Sequence, residues 1–335
     1  MGVRNGILSL LDTAVDTALD RTVVPGYSRI GYRVRRAGWP ADPPEGALRG
    51  RTALVTGANR GLGKAIAEGL ARLGATVLLT VRDREKGEQA RAEIIADDPD
   101  ALVQVEVCDV SDLGGVQIFA TDLMRRIPRL DVLIHNAGVL PESRTETVDR
   151  HEVTLATHVL GPMLLTECLV PVLAESGDAR VILVSSGGMY TQSLPVADPE
   201  YRYGRYRGTT AYARTKRLQV AFTPILAQRW APHHIGVYAM HPGWADTPGV
   251  AAALPRFRSL TGRLLRTPEE GADTAIWLAA TDPAPPTGGF WHDRRPRPQH
   301  YLPLTGYSNR DRDIVWRYCA GVVGLDEPSG MPSWL

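Results

Sequence analysis

The sequence predicts an α/β protein built on a doubly wound parallel sheet, arranged as three α/β/α layers. Three observations predict it. Six short apolar runs (52–56, 76–81, 102–107, 131–134, 180–185, 235–240) alternate with segments of helical period at 63–73, 84–96, 112–126, 149–173 and 210–230. Strand, helix and strand repeated in this way mark parallel βαβ units. The apolar runs are nearly continuous rather than alternating, as expected of strands covered on both faces. A glycine-rich stretch, Thr56 to Gly63, lies between the first strand and the first helix.

The bulk numbers set limits on function. With 335 residues, 44% hydrophobic and 22% charged, the chain can bury a sizeable core. A net charge of +1 gives no whole-molecule attraction to nucleic acid or to an anionic membrane. Cys108, Cys168 and Cys319 are odd in number and lack CxxC or Cys/His spacing, so the expectation is reduced thiols, a cytoplasmic location and no metal site. No run of about 18 apolar residues predicts a transmembrane helix. Asp12, Asp16 and Asp20 interrupt the first apolar stretch, unlike a signal peptide. Gly6 stands where a myristoylation pattern needs Ser or Thr.

Residues 1–50 read as an N-terminal extension. Ile7, Leu8, Leu11, Val15, Ala18 and Leu19 share one side at helical spacing over residues 5–20. The polar face of this amphipathic helix is acidic, which favours packing on the protein body over contact with a membrane surface; a peripheral membrane contact is the other reading. Residues 25–50 read as loop-like, with a basic patch at Arg33, Arg35 and Arg36. Residues 51–300 form the main domain, closed by a helix at 268–280 and a strand near Phe290 and Trp291. Residues 301–335 form a tail with a short helix from Ser308 to Gly324.

The glycine stretch makes the fold Rossmann-type. Gly57, Asn59, Arg60, Gly61, Leu62 and Gly63 would form the turn, whose glycines let backbone approach a pyrophosphate that the helix N-terminus then meets. At the end of the second strand a carboxylate commonly holds a ribose hydroxyl, whereas an arginine accommodates a 2′-phosphate. Here the chain runs Leu78-Leu79-Thr80-Val81-Arg82. Arg82 and Arg60, without an acid at that place, favour NADP(H) over NAD(H); the plainer reading is that Arg82 faces water.

Tyr212 and Lys216 stand at i and i+4 on a predicted helix and so share a face. A nearby ammonium favours the phenolate form of a tyrosine, which otherwise titrates at about 10. Lysine is scarce here: Lys64, Lys86 and Lys216 are the only three among 38 basic residues. The run Val181 to Ser186 is an apolar strand ending in two hydroxyls, at the end of the sheet where ligands bind.

Together these residues resemble the classical short-chain dehydrogenase/reductases over about residues 50–295. Thr56 to Gly63 matches the family's TGxxxGxG loop, Asp109-Val110 its adenine-contacting pair, and Asn136-Ala137-Gly138 its NAG motif. Pro242, Gly243 and Thr247 match the PGxxxT turn beside the nicotinamide. The resemblance implies a hydride transfer with Tyr212 as acid/base, Lys216 as its ribose-binding partner and Ser186 as ligand of the substrate oxygen. A narrower likeness to one branch runs through Ser185–Met189, His241–Val250, Gly271–Thr274 and Asp293–Pro296. The 26-residue interval from Ser186 to Tyr212 resembles retinol-dehydrogenase-like branches, where an insertion, here about 190–208, rims the pocket.

One departure stands out. His158 occupies the N-x-x-G position, where the family's asparagine holds a water linking the lysine to solvent. Histidine can anchor such a relay, the reading favoured by the intact Ser186, Tyr212 and Lys216; the alternative is a catalytically impaired dinucleotide-binding sensor or scaffold. His135 is a milder departure. Residues 248–267, where this fold places a lid, mix Val250, Leu254, Leu260 and Leu264 with Arg256, Arg258 and Arg263. That mixture suits an apolar carbonyl or alcohol substrate. The family's dimers and tetramers form through the helices carrying His158 and Tyr212, so a homo-oligomer is also expected unless the N-terminal extension covers those faces.

Overall fold

The computed structural model describes residues 16, 17, 19–246, 259, 261–301 and 303–325. Most of the amphipathic stretch at 5–20 therefore lies outside the described residues, as do Thr247 and the lid residues 248–258.

Eight strands form one sheet in the order β3-β2-β1-β4-β5-β6-β7-β8. They are β1 (Thr52–Thr56), β2 (Thr76–Val81), β3 (Val103–Val107), β4 (Val132–His135), β5 (Ala179–Val184), β6 (Ile235–Met240), β7 (Phe290–His292) and β8 (Arg295–Pro296). All pairings are parallel except β7 with β8. The order reverses between β1 and β4, and this switch point opens a crevice at the strands' carboxyl ends. The sheet agrees with the fold class expected from sequence; β8 is an added hairpin strand.

Helices cover both faces. On one side lie α3 (Gly61–Arg72), α4 (Arg84–Asp97) and α8 (Pro268–Ala280). Gly69 lets α3 and α8 meet closely, because a methyl there would lie 2.2 Å from Ile276 Cδ1. On the other side lie α5 (Leu113–Arg126), α6 (Val153–Ala174) and α7 (Gly208–Trp230). By length and composition α6 could cross a membrane, which the sequence reading did not anticipate; most of it is buried inside the protein, as suits a core helix. Its residues Ala156–Leu160 form a π turn, with His158 at the centre. Gly161 follows because a methyl there would fall 1.8 Å from the Val110 carbonyl oxygen. A further helix, α9 (Asn309–Val322), opens with a Ser308–Asp311 capping box and lays Trp316 edge-on against Phe222 of α7, ring centroids 5.2 Å apart.

The N-terminal segment departs from expectation. Where loop was expected, it forms two short helices, α1 (Val23–Tyr27) and α2 (Arg29–Arg36). The expected basic patch is also split. Arg33 and Arg36 are exposed, while Arg35 is 3% exposed and bonds Asp16 at 2.7 Å and Asp293 at 2.8 Å. The acids are not a solvated face either: Asp16 and Asp20 are both buried. A buried guanidinium without carboxylates would be costly, so the charges on segment and body settle each other.

Candidate active site

The glycine turn leaves β1 and enters α3. Gly57 adopts φ +67°, and a methyl there would fall 2.8 Å from Ala137 Cα; one at Gly63 would fall 2.4 Å from Asn136 Nδ2. Only glycine lets the two loops meet so closely. Asn136 fastens them, its Nδ2 donating to the Thr56 and Gly57 carbonyls at 2.9 and 3.2 Å. Thr56 Oγ1 accepts the Asn136 and Ala137 amides, each at 3.0 Å. Gly61 (φ +55°) opens α3, and Arg60 caps it with no side-chain bond, so the first-turn amides carry no side-chain cap. Asn59 is half-buried in the turn and Arg60 is exposed. Leu62 packs across Gly271 of α8. A glycine cradle and an uncapped helix end are what a pyrophosphate needs, so these residues fit a dinucleotide.

Beyond β2, Arg82 is exposed and lies 3.9 Å from Asp109. An acid does therefore stand near Arg82, supplied from after β3 rather than from β2. Asp109 also accepts from the Ser111 amide and hydroxyl at 2.9 and 2.7 Å. Val110 is buried. Gly138 faces His158, whose Nε2 would stand 3.2 Å from a methyl there. Gly243 has φ +74°, next to Pro242 in the turn after β6.

The second group gathers where β5 meets α7. Successive side chains on a strand point to opposite faces, and this separates the two serines. Ser185 is buried and its hydroxyl donates to the Lys216 carbonyl at 2.9 Å. Ser186 Oγ accepts the Gly188 amide at 3.1 Å and stands near enough to Tyr212 to act on its phenol. Burial pushes the Tyr212 phenol above its ordinary value, and the neighbouring Ser186 side chain opposes part of that rise. Lys216 Nζ lies 5.6 Å from the Tyr212 ring centre and donates to the Val184 carbonyl at 2.7 Å. Burial pushes its ammonium down to about 7. The phenol is thus raised rather than lowered, because desolvation dominates while the ammonium is directed at a backbone oxygen.

His158 is fully buried, with ring centroid 5.3 Å from that of Tyr212 and nearly perpendicular. Its Nε2 accepts the Val139 amide at 3.0 Å. The network therefore puts the ring proton on Nδ1, which donates to Thr215 Oγ1 at 2.8 Å. Thr215 in turn donates to the Ala211 and Tyr212 carbonyls. The His158 carbonyl accepts from Gln219 Nε2 at 2.8 Å. Desolvation, helped by the Lys216 charge, holds His158 well below the usual histidine range, and His135 down to about 3. A cavity of about 10 Å³ behind His158, lined by Thr166, Gln219 and Phe222 among others, has room for about one water and none for a substrate.

The insertion at 190–208 is anchored at Glu200, which is 2% exposed. It accepts from His151 Nδ1 at 2.7 Å, the Glu152 amide at 2.7 Å and the Tyr318 hydroxyl of α9 at 2.6 Å. Sequence spacing gave no sign of Gln219 or the Val184 carbonyl as neighbours of this site. Thr215 alone left a trace, lying between Tyr212 and Lys216 on the same helix.

Comparison with known proteins identifies the family. The short chain dehydrogenase family pattern matches residues 51–256. The chain is 40% identical over 287 residues to dehydrogenase/reductase SDR family member 12 of Bos taurus, covering 84% of this chain and 89% of that protein. The narrower likeness seen at Ser185–Met189 and Asp293–Pro296 is to this protein. This chain is also 34% identical over 269 residues to retinol dehydrogenase 14 of Mus musculus, covering 75% of this chain and 79% of that protein. A short chain dehydrogenase of Shigella flexneri complexed with NADP superposes with a TM-score of 0.61 at 26% identity, covering 75% of this chain and 100% of that one. The chain belongs to the short-chain dehydrogenase/reductase family of NAD(P)-dependent oxidoreductases.

Proposed function

We propose that this protein is an NADP(H)-dependent reductase or dehydrogenase of an apolar carbonyl or alcohol, with Tyr212 as its acid/base. The observation that carries the reading is the placing of Tyr212 and Lys216 on one face of α7, Lys216 Nζ 5.6 Å from the phenol ring, with Ser186 near the phenol. The bound dinucleotide supplies or accepts the hydride. Ser186 holds the substrate oxygen, and the Tyr212 hydroxyl gives that oxygen its proton in reduction and takes it back in oxidation. Lys216, buried and close to half-charged near neutrality, serves the phenol and the dinucleotide's ribose. Gly57, Asn59, Arg60, Gly61, Leu62, Gly63, Asp109, Val110, Asn136, Ala137, Gly138, Pro242, Gly243 and Thr247 would hold the cofactor. Arg60 and Arg82 are exposed beside the glycine turn, which supports a preference for a 2′-phosphate.

The test is turnover of NADPH, followed by loss of its absorbance, with a panel of apolar aldehydes and ketones. Stoichiometric alcohol formation supports the reading. A second reading, a dinucleotide-binding sensor without efficient chemistry, is favoured by one observation: Lys216 points to the Val184 carbonyl rather than to the phenol. NADPH binding with no turnover across the panel would select it.

A further inference from the structure

We infer that the N-terminal segment supplies a positioning residue to the reaction site, Tyr27, which sets both the turn after β6 and the loop after Ser186. The inference rests on the roles proposed for Ser186 and Tyr212. Tyr27 closes α1, far along the chain from either loop, and is 3% exposed. Its carbonyl accepts the Trp244 amide at 2.8 Å. The same stretch is held from the other side, where Arg266 donates its amide to the Trp244 carbonyl and accepts the Asp246 amide, each at 2.8 Å. Gly243 fits between these two supports. A methyl there would lie 2.7 Å from the Tyr27 oxygen and 2.6 Å from the Arg266 guanidinium carbon.

The ring of Tyr27 reaches the second loop. A methyl on Gly187, the residue after Ser186, would lie 2.6 Å from Tyr27 Cε2. The ring also stands edge-on to His241, His292 and Trp244, with centroids 4.7, 5.4 and 6.3 Å away. Loops at the strands' carboxyl ends ordinarily lie free on the surface. Here two of them rest on one residue.

A buried charge network keeps that residue in place. Arg266 bonds Asp293 at 2.6 and 2.8 Å and reaches the Ser28 and Gly26 carbonyls at 3.2 and 3.3 Å. Arg35 bonds Asp293, Asp16 and the Gly26 carbonyl, and Arg297 bonds Asp16 at 2.8 and 2.9 Å. Asp293 and Arg294 hold positive φ (53° and 55°), a conformation that persists only where surroundings over-determine it. Charge pairs with fixed partners specify register more than they add stability. Burial keeps the Tyr27 phenol well above the ordinary tyrosine value, so it holds its proton throughout and works through its carbonyl and ring. Misplacing reacting groups by about 1 Å can cost 10²-fold in rate.

The test uses the full chain and two substitutions. Gly187→Ala pushes the Tyr27 ring away; Tyr27→Leu makes room for the methyl. Gly187→Ala is expected to lower kcat for carbonyl reduction at least tenfold and to speed hydrogen exchange of the Trp244 amide at least tenfold. The double variant is expected to recover at least fivefold in each. Recovery of the thermal midpoint without recovery of kcat would make Tyr27 merely a core residue and overturn the proposal. So would an unchanged kcat or Trp244 exchange in Gly187→Ala. A wild-type protein with no turnover counts against the oxidoreductase reading instead, and the exchange arm still decides whether the two loops are coupled through Tyr27.

Discussion

His158 stands edge-on to Tyr212, and both of its ring nitrogens are already bonded, to the Val139 amide and to Thr215. The ring thereby ties the loop after Gly138 to the helix that bears Tyr212.

Replacing His158 by asparagine is therefore expected to cost stability. A shorter side chain cannot reach both partners, and one buried group left unpaired costs about 1–3 kcal/mol. Urea denaturation should show that loss, and kcat should fall or stay within threefold. A tenfold rise in kcat would mean that histidine impairs the enzyme.

Acid should unfold the protein early. His135, His158, His241 and His292 are buried and held well below the usual histidine range, chiefly by desolvation. Their folded pKa values lie below the unfolded value of about 6.5. Below that pH the unfolded chain binds protons that the folded one refuses, so stability falls as pH drops. The slope is about 1.4 kcal/mol per histidine per pH unit. Urea midpoints measured from pH 7.5 to 5.5 should decline steeply, and less steeply in His158→Asn. A flat profile would contradict the burial of these groups as neutral rings.

Cofactor choice can be tested at one corner. Arg82→Ser should lower kcat/KM with NADPH at least tenfold and leave NADH within threefold, while Asp109→Asn, by freeing Arg82, should widen the preference for NADPH. Equal effects on both dinucleotides would show that Arg82 faces water.

The C-terminal helix should decide the oligomeric state. Trp316 of α9 packs on Phe222 of α7, and α9 also lies against the π turn of α6. The resemblance implies pairing through these helices, and with α9 packed on them light scattering is expected to give a monomer. Trp316→Ala removes a buried indole, a loss of about 3–5 kcal/mol. A stable wild-type dimer with α9 in place would refute this.

Much of the architecture was legible because its signals are local. Continuous apolar runs marked β1 to β6 within a residue or so, and the i, i+4 spacing put Tyr212 and Lys216 on one face. What stayed hidden depends on contacts distant in sequence. Asp16 read only as part of an acidic polar face because its partners, Arg35 and Arg297, arrive from elsewhere in the chain. Arg35 looked like part of a basic patch for the same reason. The π turn at Ala156–Leu160 leaves the apolar pattern of α6 unbroken, so periodicity could not reveal it. The direction of Lys216 towards Val184 is a rotamer choice, on which sequence is silent.

The most direct measurement compares wild type with Tyr212→Phe under single-turnover conditions, with NADPH affinity determined alongside. The account predicts that carbonyl reduction falls at least a thousandfold while the dissociation constant of NADPH stays within threefold. Equal rates in the two proteins, with the cofactor bound to both, would contradict it.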